Sequence, residues 1–214
     1  MLDFFSAERL QLYAIMIPGL LTALILHEVA HGYVAYLLGD PTAKSQGRLT
    51  LNPFKHLDPI GTIAFFIVQF GWAKPVPVNP RYFRHPSKGM MLTALAGPGT
   101  NFILAGLFAL ILHGLAAINA EPGTAIILIC YYGVFANLIL GVFNLIPIPP
   151  LDGSNVLAYF LPPRLAYKYH SFGRYGIFLL IGLILLGNFT GFSLLGHLIL
   201  PAVSALAALL GVPM

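Results

Sequence analysis

The chain has 214 residues, of which 58% are hydrophobic and only 8% charged, with a formal net charge of +4 and a mean hydropathy of +0.85. An ordinary soluble domain carries roughly 25% charged residues, so this composition excludes a soluble globular fold and points to an integral membrane protein. The single cysteine, Cys130, excludes an intrachain disulfide and a cysteine-rich metal site, and suits a small apolar position in a span.

The first apolar run, residues 10–38, exceeds the roughly 20 residues that cross a hydrocarbon core as a helix. The segment before it, "MLDFFSAERLQ", is acidic where a cleavable signal is basic, so the first span is expected to be kept. Gly39 and Pro41 then write a helix stop. The following region to Gly89 is rich in turn residues and has no helix-length amphipathic period. Within it, residues 47–51 and 72–79 read as short strands, and "GTIAFFIVQFG" is apolar but too short to cross as a straight helix. This predicts a membrane-dipping loop with a small β-hairpin, and such backbone needs a cavity or protein around it.

A second span covers residues 90–115 and includes "LAGPGTNF"; a third covers 124–146 and closes in "FNLIPIPPLDGSN". The last apolar region, from Tyr175 onward, is split by "GNFTGFS". The expected fold is an all-α polytopic membrane protein with about four to six membrane segments and the hairpin loop after the first. It is read as a single domain over 1–214, with a core at 10–157 and C-terminal membrane segments at 174–214.

Basic residues are concentrated in two places. Lys44, Arg48, Lys55, Lys74, Arg81, Arg84 and Lys88 follow the first span, and Arg164, Lys168 and Arg174 precede the fourth, while the connection near Glu121 and the C-terminal tail have none. The positive-inside rule puts both basic connections in the cytoplasm and the N-terminus outside, in a multi-pass protein of the cell membrane. The basic balance thus reports topology; with no basic helix or aromatic RNA-binding motif, nucleic acid is not an expected partner.

The chemistry concentrates in "HEVAH", residues 27–31, an H-E-x-x-H pattern inside the first span. Four residues advance a helix by about 400°, so His27 and His31 share a face and can hold one zinc ion while Glu28 stands beside it. There Glu28 suits general-base work on a water whose pKa the metal lowers. Ionisable groups within a membrane helix cost from about 2.5 kcal/mol each, so three in five residues need a common partner such as a metal.

A catalytic zinc generally takes a third protein ligand and leaves one open position. Of the seven acidic residues, Asp3, Glu8 and Glu121 fall on the outer side, and Asp40 sits by the helix stop where hydration is easy. Asp152, in "PIPPLDGSN", is the better third ligand, because proline breaks the span and lets a carboxylate turn inward at cytoplasmic depth. Asp58 stays open, although a turn or cap suits it better; His56, two residues earlier, makes a second metal site conceivable. His113 and His197 read as interfacial or packing histidines.

"HEVAH" in one span, "AGPGTN" in the next and "NLIPIPPLDG" ending a later one together resemble the site-2 protease family of intramembrane zinc metalloproteases, over about residues 10–157. The resemblance implies that His27, His31 and Asp152 bind one Zn2+ per chain and that Glu28 is the catalytic base. It implies that Asn144 helps to hold substrate or stabilise an oxyanion, where the residue alone reads equally as a backbone cap. For Asn101 it likewise implies a place in substrate or oxyanion binding, lining the cavity, where the residue alone could merely bridge helices. The implied partner is a membrane-anchored protein cleaved in or near the cytoplasmic part of its helix, docking on an edge strand around "GRLTLNP". Many family members carry PDZ or CBS domains; this sequence is read as a compact form with neither. A membrane zinc transporter or sensor without peptidase activity is the alternative class, and an inactive helix-binding relative is disfavoured by the complete ligand-and-base set.

Overall fold

The structure, a computed structural model, describes residues 6–68, 71–119, 121 and 124–213. Among them lie eight α-helices: α1 (Ala7–Leu37), α2 (Thr42–Ser45), α3 (Pro59–Val68), α4 (Pro86–Ala117), α5 (Ala125–Asn144), α6 (Asp152–Phe160), α7 (Pro163–Thr190) and α8 (Leu194–Leu209). Four stretches are long and apolar enough to cross a membrane, Leu10–Leu37, Pro86–Ala117, Ala125–Asn144 and Pro163–Gly187, and α8 is a shorter apolar helix. The expected Asp3, parts of "GTIAFFIVQFG" (Gln69 and Phe70) and of the connection at Ala120, Pro122 and Gly123 lie outside the described residues.

Helices α1, α4 and α5 pack on one another, α6 packs against α4, and α8 against α5. Without a hydrophobic driving force between helices in lipid, such contacts depend on small residues that let backbones approach. A Cβ on Gly19 of α1 would lie 2.8 Å from Gly133 Cα of α5, and one on Gly141 would lie 2.9 Å from the Phe102 ring of α4. Large side chains such as Ile103, Leu107 and Leu110 on α4 and Phe178 and Phe189 on α7 are exposed, an arrangement suited to lipid rather than water.

Helix ends follow the sequence signals. Gly39, just past α1, has a φ of +103°, a conformation open to glycine. "GNFTGFS" divides the last apolar region because Gly191 takes a left-handed conformation after α7 and the Ser193 hydroxyl accepts from Gly196 N–H to cap α8.

Two expectations are corrected. The β-hairpin does not form: among the described residues no bridge joins residues 47–51 to 72–79, and the isolated bridge that is present pairs Ala73 with Leu57, outside the first of those segments. Residues 72–79 form no helix and no ladder, since Pro75 and Pro77 have no N–H to give one, and "GTIAFFIV" coils into α3 behind an Asp58 cap. Arg164, Lys168 and Arg174, expected in a connection, are exposed residues of α7, which starts at Pro163; proline at a first helical position starts a helix instead of stopping one.

Candidate metal centre

His27 and His31 lie one turn apart on α1 and are buried, at 5% and 9% exposure. The first residue of α6, Asp152, reaches them from over a hundred positions away. Its helix can begin there because residue 153 is glycine: a Cβ at Gly153 would lie 2.1 Å from Leu145 O. His27 Nε2 and His31 Nε2 are 3.0 Å apart, and Asp152 Oδ2 lies 3.1 Å from the first and 3.2 Å from the second.

The surrounding hydrogen bonds fix which atoms carry protons. Ala23 O can only accept, so the amide nitrogen of Asn101 faces it at 3.0 Å, and the amide oxygen therefore faces His27 Nδ1 at 2.6 Å. His27 Nδ1 donates that bond. His31 Nδ1 likewise donates to Thr93 O at 2.7 Å. In the neutral rings both Nε2 atoms are then bare acceptors, aimed at each other and at the carboxylate. Despite those short distances Asp152 Oδ2 is buried and makes no hydrogen bond of acceptable geometry. Three acceptors crowded together without a donor repel unless a cation sits among them. Tetrahedral zinc with bonds of about 2.0–2.1 Å sets its ligand atoms about 3.3 Å apart, close to the spacing here. The donor set fits a metal ion, and these three residues form the one such group among the described residues.

Helix α4 builds the cradle. A Cβ at Gly97 would lie 2.6 Å from His27 Cε1, His27 Nε2 and His31 Cε1, so only glycine leaves both rings room. "AGPGTN" therefore supplies Gly97 for space and Asn101 for orientation. Asn101 Nδ2 also donates to Asn137 Oδ1 at 3.0 Å, and Asn137 Nδ2 donates to Gly133 O at 2.8 Å. Asn101 is fully buried with its amide spent on α1 and α5. These bonds tie α4 to both neighbours, as a helix bridge does.

Glu28 is partly buried beside the cluster, and its Oε2 accepts the Val76 N–H at 2.8 Å. Asn144 is partly buried at the end of α5, with Nδ2 donating to Leu140 O at 3.0 Å. Asp58 caps α3 by accepting from Gly61 N–H at 2.8 Å. His56 is fully buried and donates to Thr50 O at 2.8 Å; neither joins the cluster. His113 donates to Leu210 O at 2.8 Å, and His197 donates to Ser193 O at 2.7 Å while stacking on Phe192, as packing histidines do. Asp40, expected to be hydrated, is instead fully buried, because Thr42 and Asn79 satisfy its carboxylate.

Sequence reasoning missed Gly97, Thr93 and Asn137. Asn137 carried a usable signal, a polar residue in the middle of the apolar third span.

Fold and cluster together define a multi-pass membrane protein with a buried two-histidine, one-aspartate metal-ready site. The family model described as Peptidase family M50 matches residues 115–186. A Bacillus subtilis protein named "Putative zinc metalloprotease YwhC" is 41% identical over 194 residues, covering 88% of this chain and 89% of its own. The chain belongs to peptidase family M50. Mycolicibacterium smegmatis "Putative zinc metalloprotease Rip2" is 30% identical over 81% of this chain and 67% of its own. "Zinc metalloprotease MJ0392" of Methanocaldococcus jannaschii is 30% identical over 72% of this chain and 37% of its own. No solved structure matches the chain.

Proposed function

We propose that this chain is an intramembrane zinc metalloendopeptidase that hydrolyses a peptide bond in or near the cytoplasmic part of a membrane-anchored protein's transmembrane helix. The observation that carries it is the trio of bare acceptors, His27 Nε2, His31 Nε2 and Asp152 Oδ2, set beside Glu28 on a helix long enough to cross the bilayer. Membership of a peptidase family and the zinc metalloprotease names of its relatives support it.

Zinc, when bound, supplies the Lewis acidity that activates water and polarises a carbonyl near neutral pH. The protein's own residues do the rest. His27, His31 and Asp152 hold the ion; Asn101 and the Thr93 carbonyl keep each ring's Nδ1 protonated and its Nε2 free to bind. Glu28 accepts the proton of the attacking water and passes it to the leaving amine. Asn144, partly buried at the end of α5 with its amide donating to Leu140 O, is the residue assigned to steady a freed substrate carbonyl. A transmembrane helix has its amides satisfied internally, so the substrate must unwind before any of these groups reaches its backbone. The charge pattern supports an N-terminus outside and a site toward the cytoplasm, with Lys44 to Lys88 between α1 and the start of α4.

The test is cleavage of a single-span reporter by the purified chain in detergent. A chelator is expected to stop cleavage, zinc to restore it, and mass spectrometry to place the cut within the reporter's span. Zinc flux through vesicles without any cleavage would replace this reading with transport.

A further inference from the structure

The segment "WAKPVPVN", Trp72 to Asn79, is unusual in where it spends its amides. Pro75 and Pro77 have no N–H, and Lys74 and Val76, each preceding a proline, are pushed toward extended backbone. Between residues 74 and 77, only Lys74 and Val76 can donate. Lys74 N–H goes to His56 O at 2.7 Å, and Lys74 O accepts from Arg48 Nη2 at 2.6 Å. Val76 N–H goes to Glu28 Oε2 at 2.8 Å. Two residues past Pro77, Asn79 N–H goes to Asp40 Oδ2 at 2.6 Å, while the other oxygen of Asp40 takes the Thr42 N–H at 2.9 Å and the Thr42 hydroxyl.

The segment is therefore pinned on both sides of Val76. It also lies close on α1: Val76 is buried, and its Cγ1 sits 2.9 Å from where a Cβ on Gly32 would be. Gly32 is one turn beyond Glu28, so the same helix face that presents the glutamate is cut back to admit the segment. A glutamate on a helix has free side-chain torsions; one fixed N–H on Oε2 selects an orientation and leaves the other oxygen to take a proton. A donor held between two prolines loses little freedom in doing so.

We propose that Trp72–Asn79 is a fixed strap whose Val76 amide orients the Glu28 carboxylate, with Asp40 as its remote anchor. Val76 and Asp40 are positioning residues, and the inference rests on the peptidase reading of Glu28. The test uses the zinc-loaded full chain in detergent and a single-span reporter carrying a fluorescence energy-transfer pair, with kcat, KM, bound zinc and amide hydrogen exchange over residues 72–79 measured for each variant. Val76→Pro, which removes the donor, lowers kcat by about tenfold to a hundredfold with little change in KM or zinc. Val76→Ala, which keeps the N–H, recovers most of that loss. Asp40→Asn lowers kcat in the same sense and speeds exchange over the strap, and it carries the test alone if Val76→Pro does not fold. Wild-type kcat in Val76→Pro or Asp40→Asn overturns the proposal; so does a raised kcat, which would make the strap a plug, and so does a loss that follows zinc content. Glu28→Gln in the same series separates the two failures: an inactive Glu28→Gln beside fully active strap variants removes the strap alone, and a fully active Glu28→Gln removes the base role of Glu28 on which the strap rests.

Discussion

Gly97→Ala is the substitution that asks most of the metal centre's geometry. The added Cβ would sit 2.6 Å from atoms of both imidazoles, about 0.8 Å short of the nearest ordinary contact at 3.4 Å. Neither ring can yield freely, because His27 is tied to Asn101 and His31 to Thr93 O. Metal–ligand distances tolerate about 0.2 Å, so a displacement of this size misaligns both nitrogens. Zinc affinity is expected to fall by about 10–100-fold, the range seen when outer-shell support of a ligand is lost, which is about 1.4–2.7 kcal/mol. Competition against a chromophoric chelator in detergent reads this directly, with a thermal scan of the metal-free protein beside it. Gly99→Ala is the control, since a Cβ there meets nothing within 4 Å, and it is expected to bind zinc as wild type does. Wild-type affinity in Gly97→Ala would mean that the histidines do not lie against α4 at this position, and the cradle as described would be wrong.

Asn101→Ala is expected to weaken zinc binding by about 10–100-fold, and Asn101→Asp, which keeps an acceptor for His27 Nδ1, to recover part of it in the same titration. Asp58→Ala loses the α3 cap, so thermal stability falls by about 0.5–2 kcal/mol while zinc content stays unchanged by elemental analysis. Gly19→Ala puts a Cβ 2.8 Å from the Gly133 backbone, and forcing α1 and α5 apart is expected to cost about 1–3 kcal/mol in a thermal scan.

The parts of the site legible in the sequence were those set by local periodicity or by scarcity. The spacing of His27 and His31 fixes a shared helix face whatever the tertiary fold, and with seven acidic residues in the chain elimination left Asp58 and Asp152, of which the proline break favoured Asp152. The four long spans were legible for the same reason, since lipid demands length and apolarity. Contacts made across the bundle were not. Gly97 reads as a helix flaw until the imidazoles are seen against it, and Asp40 reads as a hydrated turn residue until the strap closes over it. The strap itself was misread because extended backbone and strand pairing leave the same trace in sequence; its prolines forbid the second but not the first.

The central claim is that Glu28 is the base of a zinc peptidase, and Glu28→Gln tests it most directly. The amide is close in size to the carboxylate and leaves His27, His31 and Asp152 in place, so zinc per chain should equal that of wild type. Cleavage of the single-span reporter should fall by about 10²–10⁴-fold. Zinc-loaded Glu28→Gln cutting the reporter at the wild-type rate would contradict the account.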